Sequence, residues 1–213
     1  MSLRDRFTRE FWDERYGTRQ HLWSGRPNAQ LVAEVSGLTP GTALDVGCGE
    51  GGDAIWLAQQ GWTVTGVDVS PVGLARAAEH AREVMPDLAS AIVWRETDLF
   101  ADDAEPLGTF DLVTSQYLHL LPEVRDRTVD RLAAAVAPAG HLLLVTHHPS
   151  DLEIPGLRPN NPELFYTADE LAAHLDPAHW DIITAGAPAR QATHHTTGEP
   201  ITIRDTVLHA RRH

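Results

Sequence analysis

Two patterns of apolar positions alternate along most of the chain. Short continuous apolar runs are typical of buried strands, and apolar residues spaced three or four apart are typical of amphipathic helices. Five runs fit the strand pattern: residues 42–46, 62–69, 90–98, 110–118 and 140–148. Because helical segments separate them, we predict an α/β fold with a parallel, doubly wound sheet and helices on both faces.

The first residues precede this alternation and predict a helical extension. Leu3, Phe7 and Phe11 recur every four residues, which indicates an amphipathic helix that ends at Gly17. After a loop, a second short helix is expected to begin at Pro27, since proline is favoured in the first turn of a helix.

The end of the chain also departs from the pattern. Residues 149–166 contain four prolines and predict a long irregular loop. Two later stretches, 180–186 and 201–210, predict final strands that pair as an antiparallel hairpin. Residues 194–200 supply turn residues for that hairpin, and we expect their two histidines to be exposed to solvent.

Composition narrows the class of protein. A chain of 213 residues with 42% hydrophobic and 22% charged residues fits one domain, with at most a small appendage. No apolar run approaches the roughly 18 residues of a membrane span, and the charged, aromatic start lacks the apolar middle of a signal peptide. Cys48 is the single cysteine, so no internal disulfide forms and we expect a cytoplasmic location.

The charge of the chain limits the kinds of partner that it can bind. A net charge of −13 and a pI near 5.2 disfavour binding to a phosphate backbone. We therefore expect a small-molecule partner, no nucleic acid and no membrane, in a monomer or a homodimer.

The stretch "ALDVGCGEGGDAIWLA", residues 43–58, carries the strongest motif. Gly47, Gly49 and Gly52 spell G-x-G-x-x-G, the pattern of a dinucleotide site. Asp45, with glycines at 47, 49 and 51, also spells D-x-G-x-G-x-G. In a doubly wound sheet this loop lies beyond the carboxyl end of the first strand, where ligands bind.

Carboxylates distinguish the two ligands that this loop could hold. The pyrophosphate of a dinucleotide sits at a helix N-terminus, and the acids Asp45, Glu50 and Asp53 would repel it. S-adenosylmethionine carries a sulfonium and an ammonium and no phosphate, so acids favour it. Asp68 ends the second strand, where it can accept both ribose hydroxyls, and Asp98 ends the third, where it can accept the adenine amino group.

Residues 40–146 resemble the class I S-adenosylmethionine-dependent methyltransferases. The matching stretches are "LDVGCGEGG", "VTGVDVS", "ETDLF", "FDLVTSQYLHLL" and "VAPAGHLLLV". The resemblance implies a Rossmann-like, seven-stranded sheet with an antiparallel C-terminal hairpin. It also implies that the cofactor is held by Asp45, Gly47, Gly49, Asp68, Val69, Asp98, Leu99 and Gln116, with Tyr117 near the sulfonium.

The N-terminal segment is similar to small-molecule methyltransferases of the tellurite-resistance and thiopurine groups. In those proteins it covers the active site, which implies a helical cap at 1–38 and a methyltransferase domain at 39–213. The implied lid or substrate residues are Trp12, Tyr16, Trp23 and Arg26. His119, which follows the fourth strand, is a further substrate candidate because of its position. For the aromatic residues at 7, 11 and 12, burial as the core face of the helix is the preferred alternative.

Methyl transfer is an in-line displacement, and a base assists only where the acceptor must lose a proton. The candidate catalytic residues are His147 and His148 after the fifth strand and Tyr117 after the fourth. Because adjacent histidines on a strand point apart, we expect no metal site.

The resulting hypothesis is transfer of the methyl group of S-adenosylmethionine to an O, N or S atom of a small molecule, with S-adenosylhomocysteine as product. Two alternatives stay open: an NAD-dependent oxidoreductase and a non-catalytic S-adenosylmethionine-binding protein. Asp45 and Asp98 have no role in pyrophosphate binding and argue against the first. A pocket containing Trp23, Tyr117 and His147 argues against the second.

Overall fold

Five parallel strands form most of the sheet, from one edge to its middle, and antiparallel strands complete the other edge. The structure is a computed structural model that describes residues 7–18, 21–101 and 104–213. Its strands are β1 Thr42–Val46, β2 Thr63–Asp68, β3 Ile92–Glu96, β4 Phe110–Gln116, β5 Val136–His147, β6 Trp180–Gly186, β7 Ala189–Thr193 and β8 Pro200–Arg212. The order across the sheet is β3-β2-β1-β4-β5-β8-β6.

The order of the strands determines where a ligand can bind. From β1 the chain builds outward through β2 and β3, then crosses back to add β4 and β5 on the other side of β1. The connections that leave β1 and β4 therefore run in opposite directions. This switch point opens a crevice beyond the carboxyl ends of the strands.

Helices cover both faces of the sheet, as predicted. They are α1 Arg9–Gly17, α2 Ala29–Val35, α3 Gly52–Gln59, α4 Pro71–Val84, α5 Pro122–Ala134 and α6 Ala168–Ala172. The Ser70 hydroxyl caps α4 by accepting a hydrogen bond from the Gly73 amide, and Thr167 and Glu170 form a reciprocal capping box at α6.

Side chains that alternate along the strands fill two separate cores. Leu44 and Val113 pack with α5 and α6 in one core, whereas Ala43 and Leu112 pack with α2 and α3 in the other. The period of two along a strand produces this division. Burial on both faces explains why these strands read as continuous apolar runs.

The predicted doubly wound sheet and its seven-strand path are confirmed, but the hairpin was assigned incompletely. β8 pairs antiparallel with both β5 and β6, and β7 pairs with the first part of β8. Residues 194–200 therefore join β7 to β8 rather than β6 to β8. The sequence of β7, "ARQAT", has no apolar run, so pairing alone reveals it.

Three local predictions also need correction or comment. Leu3 lies outside the described residues. The second helix begins at Ala29 rather than Pro27, because the Asn28 side chain caps it by accepting hydrogen bonds from two backbone amides. His194 is buried, not exposed: its Nε2 donates to the Pro155 carbonyl at 3.0 Å. Its neighbour His195 is exposed, as expected.

No helix in the described ranges is both long and apolar enough to cross a membrane.

Substitution of a glycine in β2 would test how tightly the core packs beneath the crevice. A Cβ atom on Gly66 would lie 2.7 Å from Trp94 and 3.1 Å from the Cys48 sulfur. We expect Gly66→Ala to lower the free energy of unfolding by about 1–3 kcal/mol, measured by urea denaturation, because the core must be displaced. Gly186→Ala is the matched control, since nothing lies within 4 Å of its Cβ position. Equal stabilities of the two variants would contradict this packing.

Candidate active site

A cavity of about 770 Å³ lies beyond the carboxyl ends of the central strands. Its floor is the glycine loop after β1 together with the residues that follow β2, β3 and β4. Its roof combines α1 with residues from the segment at 157–165. A concave site of this size at the switch point is the expected position for a ligand.

The glycine loop is held close to the end of β2. The backbone amides of Gly47 and Cys48 donate to the Val67 carbonyl, and the Gly49 amide donates to Asp68 Oδ2 at 2.9 Å. Gly49 has a φ of +52°, and a Cβ there would lie 2.9 Å from the Tyr16 hydroxyl. The loop therefore requires glycine both for its conformation and for its contact with α1.

The predicted cofactor residues lie around the cavity with one exception. The cavity is lined by Gly47, Gly49, Asp68, Val69, Asp98, Leu99 and Gln116. Asp68 also accepts a hydrogen bond from the Ser70 amide at 2.9 Å. Burial raises the pKa of Asp68, although these backbone hydrogen bonds oppose the shift.

Asp45 is the exception, because it lies beneath the glycine loop and does not line the cavity. Its side chain is 1% exposed, and Oδ2 has no hydrogen-bond partner within the described part of the chain. Burial raises the pKa of Asp45 well above its usual value, and the nearby Asp53 and Asp68 raise it further.

Tyr117 follows β4 with a positive φ of 54°, which turns its ring into the cavity. Its hydroxyl donates to Asp205 at 2.9 Å and accepts a hydrogen bond from Arg190 at 3.1 Å. Burial and the Asp205 charge raise the pKa of Tyr117 to about 12. Next to it, Gln116 Oε1 is buried with no partner among the described residues.

His147 ends β5 and stacks on the Tyr117 ring, with 4.3 Å between the ring centroids. Arg158 Nη2 lies 2.9 Å from His147 Nδ1, and the buried Asp151 holds Arg158 in place. An arginine only donates hydrogen bonds, so Nδ1 is the acceptor and the ring proton is on Nε2. Burial, with the charge of Arg158, lowers the pKa of His147 to about 2.

The other two predicted histidines differ in position. His119 lines the cavity, 5.8 Å from the His147 ring, and burial lowers its pKa with contributions from Arg158 and Arg15. His148 does not line the cavity: its Nδ1 accepts a hydrogen bond from the Ser150 amide and caps a short 3-10 helix at Pro149–Glu153. β5 ends at His147, and His148 begins the turn into this 3-10 helix, so the chain brings only one of the pair to the site.

Part of the N-terminal segment lines the cavity, from Phe7 to Tyr16 and from Trp23 to Ala29, whereas the rest of α2 packs in the core. Tyr16, Trp23 and Arg26 line it, with the Trp23 indole 3.4 Å from the Tyr16 hydroxyl. The preferred assignment of the aromatic residues 7, 11 and 12 to a core face is borne out only in part, because only Phe7 packs against a buried cluster, that of Leu121, Leu164 and Phe165. All three are half-buried and line the cavity, and Tyr16 is the α1 side chain that is buried.

Two acids of the glycine turn hold this segment in place. Glu50 accepts hydrogen bonds from the Leu22 and Trp23 amides at 3.0 and 2.9 Å, and it pairs with Arg76 at 3.0 Å. Asp53 accepts from the Asn28 amide at 2.6 Å. The motif predicted that these acids face a cationic ligand, but within the protein they contact Arg76 and backbone amides that are distant in the chain.

Sequence reasoning missed the charged groups behind the histidines. These are Arg158 with Asp151, and Arg190 with Asp205. Asp205 could have been recognised from the sequence, because it is a charged residue within the apolar run of β8. The arginines lie in a proline-rich loop and in a strand without an apolar pattern, so no local signal marked them.

Comparison with known proteins identifies the family. Residues 18–185 match the family described as a methyltransferase domain. The chain belongs to this family. The resemblance to class I methyltransferases is thereby confirmed at the level of the family.

Three relatives of this methyltransferase domain illustrate its similarities. It is 33% identical over 118 residues to the ubiquinone biosynthesis O-methyltransferase of Vibrio parahaemolyticus, covering 54% of this chain and 48% of that protein. It is 29% identical to the 2-heptyl-1-hydroxyquinolin-4(1H)-one methyltransferase of Mycobacteroides abscessus, covering 80% and 79%. A protein solved in work on the conversion of a disulfide bond into a thioacetal group during echinomycin biosynthesis is 26% identical, with a TM-score of 0.72 and coverage of 96% and 92%.

The relatives differ in how much of their own length is matched. The methyltransferase domain spans about half the length of the ubiquinone biosynthesis relatives that it matches, and about four fifths of the quinolone relative.

The Glu50 contacts give a direct test of how the N-terminal segment is held. We expect Glu50→Gln to speed hydrogen exchange at the Leu22 and Trp23 amides about tenfold or more, since hydrogen bonds to a charged acceptor are worth about 1.5–3 kcal/mol. Exchange mass spectrometry of peptides covering 21–23 measures this. Glu79→Gln is the matched control, because Glu79 is exposed on α4. The same exchange in both variants would show that Glu50 does not hold the segment.

Proposed function

We propose that this protein transfers the methyl group of S-adenosylmethionine to an O, N or S atom of a small molecule and releases S-adenosylhomocysteine. The observation that carries the proposal is the acidic floor of the cavity. Glu50, Asp53, Asp68 and Asp98 line it near the glycine loop. Such a floor suits a ligand with a sulfonium and an ammonium, and it repels a pyrophosphate.

The residues present fit this cofactor. Asp68 would accept hydrogen bonds from the ribose hydroxyls, and Asp98 with the Leu99 backbone would bind the adenine, with Val69 beside them. The backbone of Gly47 and Gly49 would hold the methionine moiety. The buried, unpartnered Gln116 Oε1 supports a polar ligand near the end of β4. When bound, the cofactor supplies an electrophilic methyl group.

Asp45 takes a different role in this proposal from the one that the motif suggests. Because it lies beneath the loop, it would support the backbone of Gly47 and Gly49 rather than contact the ligand. Its raised pKa agrees with a buried, supporting carboxyl group.

The alternatives fit less well. An NAD-dependent oxidoreductase would place a pyrophosphate against Glu50 and Asp53. A binding protein without activity would have no need of the second part of the cavity, which extends beyond the glycine loop to His119, His147 and Arg158. The names of the relatives, an O-methyltransferase and a quinolone methyltransferase, agree with a small-molecule acceptor.

We infer that residues 1–38 act as a cap over the domain at 39–213. The support is that Tyr16, Trp23 and Arg26 line the cavity from the N-terminal segment. Aromatic side chains there would exclude water and align the acceptor, which supplies much of the acceleration in an in-line displacement. His119 would contact the acceptor from the opposite wall.

The roles of the candidate catalytic residues are narrower than predicted. His148 lies outside the cavity and is not proposed for catalysis. Tyr117 would orient His147 through their stacked rings, since its hydroxyl is occupied by Asp205 and Arg190.

Binding measurements test the cofactor. We expect S-adenosylhomocysteine to bind and to raise the melting temperature, because a ligand that binds only the folded state stabilises it. Asp68→Ala should weaken this binding by about 1.5–3 kcal/mol, or about tenfold to more than a hundredfold, in calorimetric titrations. Thermal unfolding of the variant is needed too, because Asp68 also holds the Gly49 amide.

Glu83→Ala is the control for that titration, since Glu83 is exposed on α4. Its affinity should equal that of the unchanged protein. Binding of NAD without binding of S-adenosylhomocysteine would refute the proposed function. An unchanged affinity of Asp68→Ala for S-adenosylhomocysteine would show that the ribose is bound by other residues.

A further inference from the structure

The part of the cavity beyond the glycine loop is lined by guanidinium groups and by one carboxylate, Asp205, which is paired with Arg190. Arg158 and Arg190 line it, and each is fixed by a carboxylate that is 1% exposed, Asp151 and Asp205 respectively. Arg15 lines it from α1, with its guanidinium 5.6 Å from the centroid of the Trp12 ring. Three arginines from three separate segments therefore face one space.

The histidine among these arginines is arranged to donate a hydrogen bond. Arg158 Nη2 occupies the lone pair of His147 Nδ1 at 2.9 Å, which leaves Nε2–H as the remaining polar group of the ring. To take a proton from an acceptor, His147 would have to release Arg158 and become a cation beside Arg158 and Arg190. The charges of both arginines oppose that.

The other titratable groups that face His147 are no better placed to take a proton. The Tyr117 hydroxyl donates to Asp205 Oδ1, and Oδ2 of the same carboxylate accepts from Arg190 and Gln30. His119 Nδ1 is buried with no partner among the described residues, but burial lowers the pKa of His119 and the charges of Arg158 and Arg15 lower it further, so its protonated form is disfavoured. The surroundings of His147 thus stabilise a negative charge and oppose a positive one.

We propose that the acceptor is a weak organic acid that binds as its anion, with His147 Nε2–H donating to it and Arg158 fixing His147 as a donor. This rests on the proposed methyl transfer. The acceptor loses its proton to water on binding. Its anionic atom then forms the bond to the methyl carbon while the sulfur–methyl bond breaks, and that electron pair stays on sulfur. Charges balance and no protein group takes up a proton.

The acceptor class is tested by binding to the protein saturated with S-adenosylhomocysteine. The probes are nitrophenols of graded acidity and their methyl ethers, which cannot ionise. We expect at least one phenol to bind about tenfold or more tightly than its ether, since a charge-assisted hydrogen bond is lost in the ether. The absorbance of the nitrophenolate should show the bound phenol ionised below its solution pKa.

Two variants test whether the tighter binding of the phenol and the shift in its ionisation depend on Arg158. Arg158→Met should lose about tenfold or more of the affinity for the phenol and should lose the shift in its ionisation. Arg82→Met, at an exposed arginine of α4, should change neither. Arg158→Met that binds the phenol as tightly as Arg82→Met would overturn the proposal.

A measurement on the unchanged protein tests the proposal even if the Arg158→Met variant does not fold. Nitrogen NMR of the histidine rings should show His147 as the Nε2–H tautomer, without protonation between about pH 5 and pH 8. Protonation of His147 in that range, or a proton on Nδ1, would overturn the proposal.

The outcomes separate this inference from the function on which it rests. If S-adenosylhomocysteine binds but ethers bind as well as phenols, or no phenol binds, the anionic acceptor is refuted and the cofactor assignment stands. If S-adenosylhomocysteine itself does not bind, the anionic acceptor and the cofactor assignment are both refuted.

Discussion

The hydrogen bond from the Gly49 amide to Asp68 joins the ends of β1 and β2, and the cavity is arranged around this junction. It requires two parallel strands that end side by side, and a loop whose backbone approaches a carboxylate closely. Tyr16 packs against the same glycine, so any side chain there would displace α1. One short loop therefore sets the positions of both the floor and the roof of the site.

The acids of the loop support the structure of the protein itself. Glu50 and Asp53 accept hydrogen bonds from amides of the N-terminal segment, about 25–28 residues earlier in the chain. A buried carboxylate that accepts several amide hydrogen bonds offsets part of its loss of hydration. In the proposed function the same charges would attract a cationic ligand, so support of the roof and recognition of the ligand would depend on the same residues.

Charge is divided across the cavity. Carboxylates surround the glycine loop, and arginines surround the histidines beyond β4 and β5. The arginines are held by the buried acids Asp151 and Asp205, which keep their guanidinium groups in one place. An electrophilic cation at one end and an anionic acceptor at the other would bring opposite charges together, and methyl transfer would neutralise both.

The sequence by itself determined the sheet, its helices and the acids at the ends of β1, β2 and β3. These depend on local signals: apolar runs, apolar residues at helical spacing, and glycines at fixed spacing. The tertiary structure alone decided that β7 pairs with β8, that Asp45 lies beneath the loop, and that Arg158 meets His147. Those outcomes depend on contacts between residues distant in the chain, and neither spacing nor composition encodes which distant groups will meet.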